Sequence, residues 1–146
     1  MSMLSSPTVF RRIILAAFLL LATCLVVTAA DSAGWAGIYF NKKHLKGQAY
    51  FQLGIQQSGS SIQIVFNAAY NDGHGPAPEA HGSAKITGKD TLDFQFVDSL
   101  RNSGSGTIKR TGNDIIVDFI FANAMDKSCL DFYGRDMHLR RVGKKK

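Results

Sequence analysis

A chain of 146 residues, 45% of them hydrophobic, can furnish one domain with an ordinary core and not two. Its formal charge of +6 and pI near 9.5 suit an anionic partner, but no nucleic-acid-binding motif accompanies that charge, which argues against DNA or RNA. The chain has no nucleophile-elbow serine, no phosphate loop and no paired cysteines, so the familiar catalytic signatures are absent.

Residues 1–30 read as a leader. Arg11 and Arg12 precede the apolar run 13–27, which closes in Thr28, Ala29 and Ala30. That order of charge, apolar stretch and small residues is that of a secretory signal peptide cut after Ala30. The alternative is an uncleaved anchor over residues 13–30, since about 18 apolar residues is near the lower limit for crossing a bilayer; the arginines would then leave the following domain outside. Leu21-Ala22-Thr23-Cys24 resembles a lipidation site more weakly, and Arg11-Arg12 a twin-arginine signal more weakly still. Every version predicts an exported domain, periplasmic or extracellular. Cys24 falls within the leader, which leaves Cys129 to be a buried small apolar residue, a reactive thiol or a cross-link to a partner.

From residue 31 onward, apolar side chains recur at every second position, the mark of half-buried strands. The first predicted strand is residues 35–40, followed by a polar turn over 41–47. The second, residues 48–56, puts Ala49, Phe51, Leu53 and Ile55 on one face. After the Ser58-Gly59-Ser60 turn, Ile62, Ile64, Phe66, Ala68 and Tyr70 continue the pattern as a third. Residues 71–82 form the longest non-periodic stretch and hold Pro76 and Pro78, which cannot donate to a ladder. A short fourth strand covers 83–87, and the fifth carries Leu92, Phe94 and Phe96. A glycine-rich break over 98–106 leads to a short strand at 107–110, then a turn over 111–114, then Ile115, Val117, Phe119 and Phe121 on one face. Between residues 123 and 134 the pattern is irregular, and residues 124–130 fit a short helix or a long loop. In the last strand, 135–142, Met137 and Leu139 alternate with polar residues, and residues 143–146 make a basic tail.

About eight short strands joined by turns predict an all-β fold, a single antiparallel domain over residues 31–142. Sequential hairpins favour an up-and-down barrel closed between strands 35–40 and 135–142, which removes exposed edges; a β-sandwich is the alternative. Gly34-Trp35-Ala36-Gly37-Ile38-Tyr39, the meander and the arginine-bearing last strand resemble the small barrels of the calycin group, lipocalins and avidins among them. The resemblance implies binding without chemistry, and a Trp35 packed near Arg140 or Arg141 at the closed end of the barrel.

Two polar clusters stand out. Asp72, His74, Glu79 and His81 lie within the 71–82 stretch; carboxylate and imidazole are metal ligands, with His74 and His81 the candidates if the loop folds back on itself, and a merely solvated loop is the other reading. Asp98, Arg101 and Asn102 form the second. They suit turn amides and a surface pair between Arg101 and Asp98, or a site at the same barrel end as the first cluster. Phe132 and Tyr133 read as cap or core residues, or else as an exposed aromatic anchor. The expected function is an exported, non-catalytic binding module that needs no cofactor. It would hold a protein partner by its loops or a small apolar ligand inside, for example as an inhibitor of an envelope enzyme. Ten phenylalanines favour a filled interior and hence the loops. The alternative is a metal-dependent or hydrolytic protein centred on residues 71–82. The basic tail would touch an anionic envelope surface or be simply solvated.

Overall fold

The computed structural model describes residues 34–143; the predicted leader over 1–30 and Lys144 to Lys146 lie outside them. Eight strands follow one another: β1 (Gly37–His44), β2 (Ala49–Ser58), β3 (Ser61–Tyr70), β4 (Glu79–Gly88), β5 (Thr91–Asp98), β6 (Ser103–Thr111), β7 (Asp114–Asn123) and β8 (Met137–Arg141). Each pairs antiparallel with its neighbours in sequence, and β8 returns to β1, so the sheet closes into an up-and-down barrel. This is the architecture of calycin-like barrels, and the sandwich alternative is set aside by closure.

Period-2 alternation fixes the inward rows. Phe51, Leu53 and Ile55 of β2, Ile62, Ile64 and Phe66 of β3, Leu92, Phe94 and Phe96 of β5, and Ile115, Val117 and Phe119 of β7 are all buried. The first halves of β4 and β6 are small inside instead, with Ala80 and Gly82 on one and Gly104 and Gly106 on the other. Gly104 pairs across the ladder with Phe96 on one side and Phe121 on the other, and Gly106 likewise with Phe94 and Phe119. Missing side chains on one strand thus make room for rings from two neighbours. Phe119 lies 5.3 Å from Phe66, 5.5 Å from Phe94 and from Phe96, and 5.1 Å from Tyr133, mostly edge to face, the arrangement aromatic quadrupoles favour.

Three strands are longer than the sequence suggests. β4 begins at Glu79, so the loop after β3 is 71–78, and Glu79 and His81 belong to a strand. β6 begins at Ser103, which shortens the predicted break to 99–102. β1 starts after Trp35 and continues through the expected turn to His44, with a bulge opposite Tyr50: Asn41 pairs with Phe51 and His44 with Ala49. Both Lys42 and Lys43 are exposed there. Between β7 and β8 the chain makes a 3₁₀ turn, Lys127–Phe132.

Candidate functional site

The connections after β1, β3, β5 and β7 share one rim of the barrel, and the longest, residues 124–136, folds across it. Asp126 starts the 3₁₀ turn by accepting from Ser128 N at 2.9 Å; the Ser128 hydroxyl, 2.6 Å away, and then that amide hold its carboxyl below the usual range. The turn drops Cys129, Phe132 and Tyr133 into the core. Phe132 and Tyr133 are therefore cap residues.

Asp98 ties this cap to the β5–β6 loop. It is the next inward position of β5 after Leu92, Phe94 and Phe96, and it is buried. Its Oδ1 accepts from Leu100 N (2.9 Å) and Asn102 N (2.8 Å). Its Oδ2 accepts from Asn102 Nδ2 (2.9 Å) and the Tyr133 hydroxyl (2.7 Å), with the Cys129 thiol 3.8 Å away. Asn102, fully buried, also takes the Asp126 amide on its Oδ1 at 2.9 Å. Burial, then the charges of Asp98 and Asp126, push the Cys129 thiol up to about 11. Burial and the bond to Asp98 push the Tyr133 phenol up as well. Both groups stay protonated at neutral pH, so the cluster acts as a latch and has no thiolate to offer as a nucleophile.

A second latch is His44, whose Nε2 lies 2.8 Å from the Phe132 carbonyl. A carbonyl only accepts, so Nε2 carries the proton. The ring is enclosed between Phe51 and Phe132, at 5.7 and 6.4 Å, and burial lowers its pKa against the opposing effect of the carbonyl.

The predicted site residues separate into two groups around these latches. Asp98 and Asn102 are buried supports. The expected surface pair between Arg101 and Asp98 does not form, because the alternation of β5 turns the carboxylate inward. Arg101 is left exposed with φ 65°, in a left-handed conformation that costs a non-glycine residue about 1 kcal/mol. Asp72 and His74 sit exposed on the 71–78 loop, where Asp72 Oδ1 accepts from His74 N at 3.0 Å. That loop meets the 99–102 loop through Ser99 N to Glu79 O at 2.7 Å and Glu79 N to Ser99 Oγ at 3.1 Å, so the two lie at the same rim. His74 borders a hollow with Tyr70 and Gln48, whereas His81 faces outward from β4 beside Gln95 and Val97. The two histidines do not share a pocket, and among the described residues no group of three His, Cys, Asp or Glu side chains is placed to hold a metal ion.

At the opposite end Trp35 is buried and covered by the Arg110 guanidinium, 4.1 Å from the ring. The expected partner was Arg140 or Arg141. Arg141 instead lies over Tyr39 at 5.9 Å and donates to the Ala36 carbonyl at 2.6 Å. Sequence reading missed His44 and the link from Asp98 to Tyr133 and Cys129. The inward position of Asp98 was there to be counted from Leu92; its partners, 31 and 35 residues on, left no local signal. No protein-family model, curated protein or solved structure matches this chain.

Proposed function

We propose that this protein is an exported, non-catalytic binding module that engages a protein partner through the loops of its capped rim. The observation that carries this reading is the aromatic packing inside the barrel: Phe51, Phe66, Phe94, Phe96, Phe119 and Tyr133 occupy the volume where a barrel of this size would hold a small ligand. That packing favours the rim over an interior apolar ligand. The rim is also braced. Asp98, Asn102 and the Ser99–Glu79 contacts hold the loops that display Asp72, His74 and Arg101, and a preorganised loop binds with less ordering cost. Inhibition of an envelope enzyme by insertion of the 71–78 loop is one form such binding takes.

The test is chemical cross-linking in envelope extract with the wild-type chain and with the triple variant Asp72→Ala, His74→Ala, Arg101→Glu. A partner should be captured by the wild type and lost with the variant, while thermal unfolding of the two coincides. An identical captured set, or an organic ligand retained inside the barrel in native mass spectrometry, would overturn the reading.

A further inference from the structure

The shortest ladder of the barrel is the one that closes it. β1 and β8 pair only at Tyr39–Arg141 and Phe40–Arg140, against ten positions between β2 and β3. Continuing that register would set Asn41 opposite Leu139, Lys42 opposite His138 and Lys43 opposite Met137, yet none of these pairs forms. The strands part instead, and a cleft of about 650 Å³ opens between them, with Phe40 and Val142 on its walls.

Its charge is one-sided. The β1 bulge places two residues against one on β2 and leaves the consecutive Lys42 and Lys43 both exposed at the cleft, the re-aiming that bulges provide. Arg140 and Arg141 line it from β8. Among the described residues none of these four cations forms an ion pair. Two carboxylates border the β8 side, and neither meets one of the four side-chain cations: Asp136 lies 3.6 Å from the lining His138, and Asp114 accepts from the Arg141 backbone amide at 3.0 Å. The Lys43 amide donates to Oδ1 of the half-buried Asn41 at 2.9 Å, a local contact that an incoming carbonyl can replace.

We infer that this seam is a docking groove for an extended acidic peptide segment of a protein partner, which adds its backbone to the parted margins of β1 and β8 and sets its carboxylates against Lys42, Lys43 and Arg140. Strand addition uses main-chain groups for affinity and side-chain pockets for selection; the parted margins offer the first, the cations and Phe40 the second. A bilayer offers headgroup charge without an extended backbone to pair, and a concave seam between strands suits it less than a flat face would. The three unpaired positions accommodate a segment of about three to five residues at roughly 3.3 Å each.

The probe is a blocked, fluorescein-labelled peptide of about eight alternating glutamate and valine residues, long enough to overrun the gap, followed by anisotropy with the full chain. Saturable binding on the order of 10 μM is expected for so short a strand, weakened about tenfold by high salt and lost in Lys42→Glu/Lys43→Glu, whose circular dichroism should match wild type. A peptide N-methylated along one edge should fail to bind. Absence of saturable binding, equal binding by the double variant, or equal binding of the methylated peptide overturns the inference. So does lysine-dependent binding to anionic phosphatidylglycerol vesicles without peptide binding. The triple loop variant should bind the peptide as wild type does, so this inference and the rim reading can each fail without the other.

Discussion

Asp98 occupies a position where its row would otherwise continue in phenylalanine, and a bare carboxylate there would be costly. The cost is offset by four donors from the 99–102 loop and the cap, none of them a cation. Removing the acceptor leaves those donors unsatisfied in the interior, whereas removing one donor does not. Asp98→Ala is therefore expected to lower unfolding free energy by about 3 kcal/mol and Tyr133→Phe by about 1.5 kcal/mol, read from urea midpoints. Equal losses would mean that the bond from the Tyr133 hydroxyl alone accounts for what Asp98 contributes to the cap. His44 gives the same rim a pH dependence. Its folded pKa lies below its ordinary value of 6.5, with burial the main cause. The unfolded chain therefore binds more protons than the folded one just below pH 6.5, and stability rises with pH through that window. The contribution of His44 is complete above pH 6.5 and is lost as the solution is acidified through its folded pKa. Urea midpoints across that window should fall on acidification less steeply in His44→Gln than in wild type.

At the scale of elements, β6 carries the packing argument. A Cβ on Gly106 would fall onto the Phe94 ring and the Asp118 carbonyl, neither of which can retreat from a filled core. Gly106→Val should destabilise by about 2–3 kcal/mol, as overpacking does, whereas Gly59→Ala, at a turn with φ 59° and open space around it, should cost only about 1 kcal/mol of backbone strain. Thermal and urea unfolding of the two variants checks this. The same glycines explain which strands were legible. β2, β3, β5 and β7 announce themselves because their inward rows are large and apolar. The first halves of β4 and β6 have Ala80, Gly82, Gly104 and Gly106 inward, and glycine read in isolation is a breaker. Their strand character depends on the rings opposite, which local sequence does not contain. β1 was cut short for another reason: a bulge exposes two consecutive lysines, and that pattern looks like a turn. In the candidate site, the loop residues Asp72, His74 and Arg101 were visible as polar punctuation, while the latch around Asp98 joins three separate elements.

For the molecule as a whole, closure removes the free edges that invite aggregation, but it does so unevenly. Two paired positions and the Val142 N to Ile38 O bond at 2.8 Å complete the ring. Opening should begin at this joint. Amide exchange at Phe40, Arg140 and Arg141 is expected to outpace that at Leu53, Ile64 and Phe66 by at least about tenfold, as local openings do relative to global unfolding. Uniform protection at the β1–β8 and β2–β3 pairings would show that Arg141, lying against Gly37 and over the Tyr39 ring, holds the seam as firmly as a full ladder.

The Val142–Ile38 bond has one more consequence. It sets the beginning of the first strand beside the end of the last, at the edge of the barrel away from the cap. A short linker could join residues 34 and 143, with new termini cut at Gly59. Such a circular permutant would keep every strand pairing and turn the present seam into an internal hairpin.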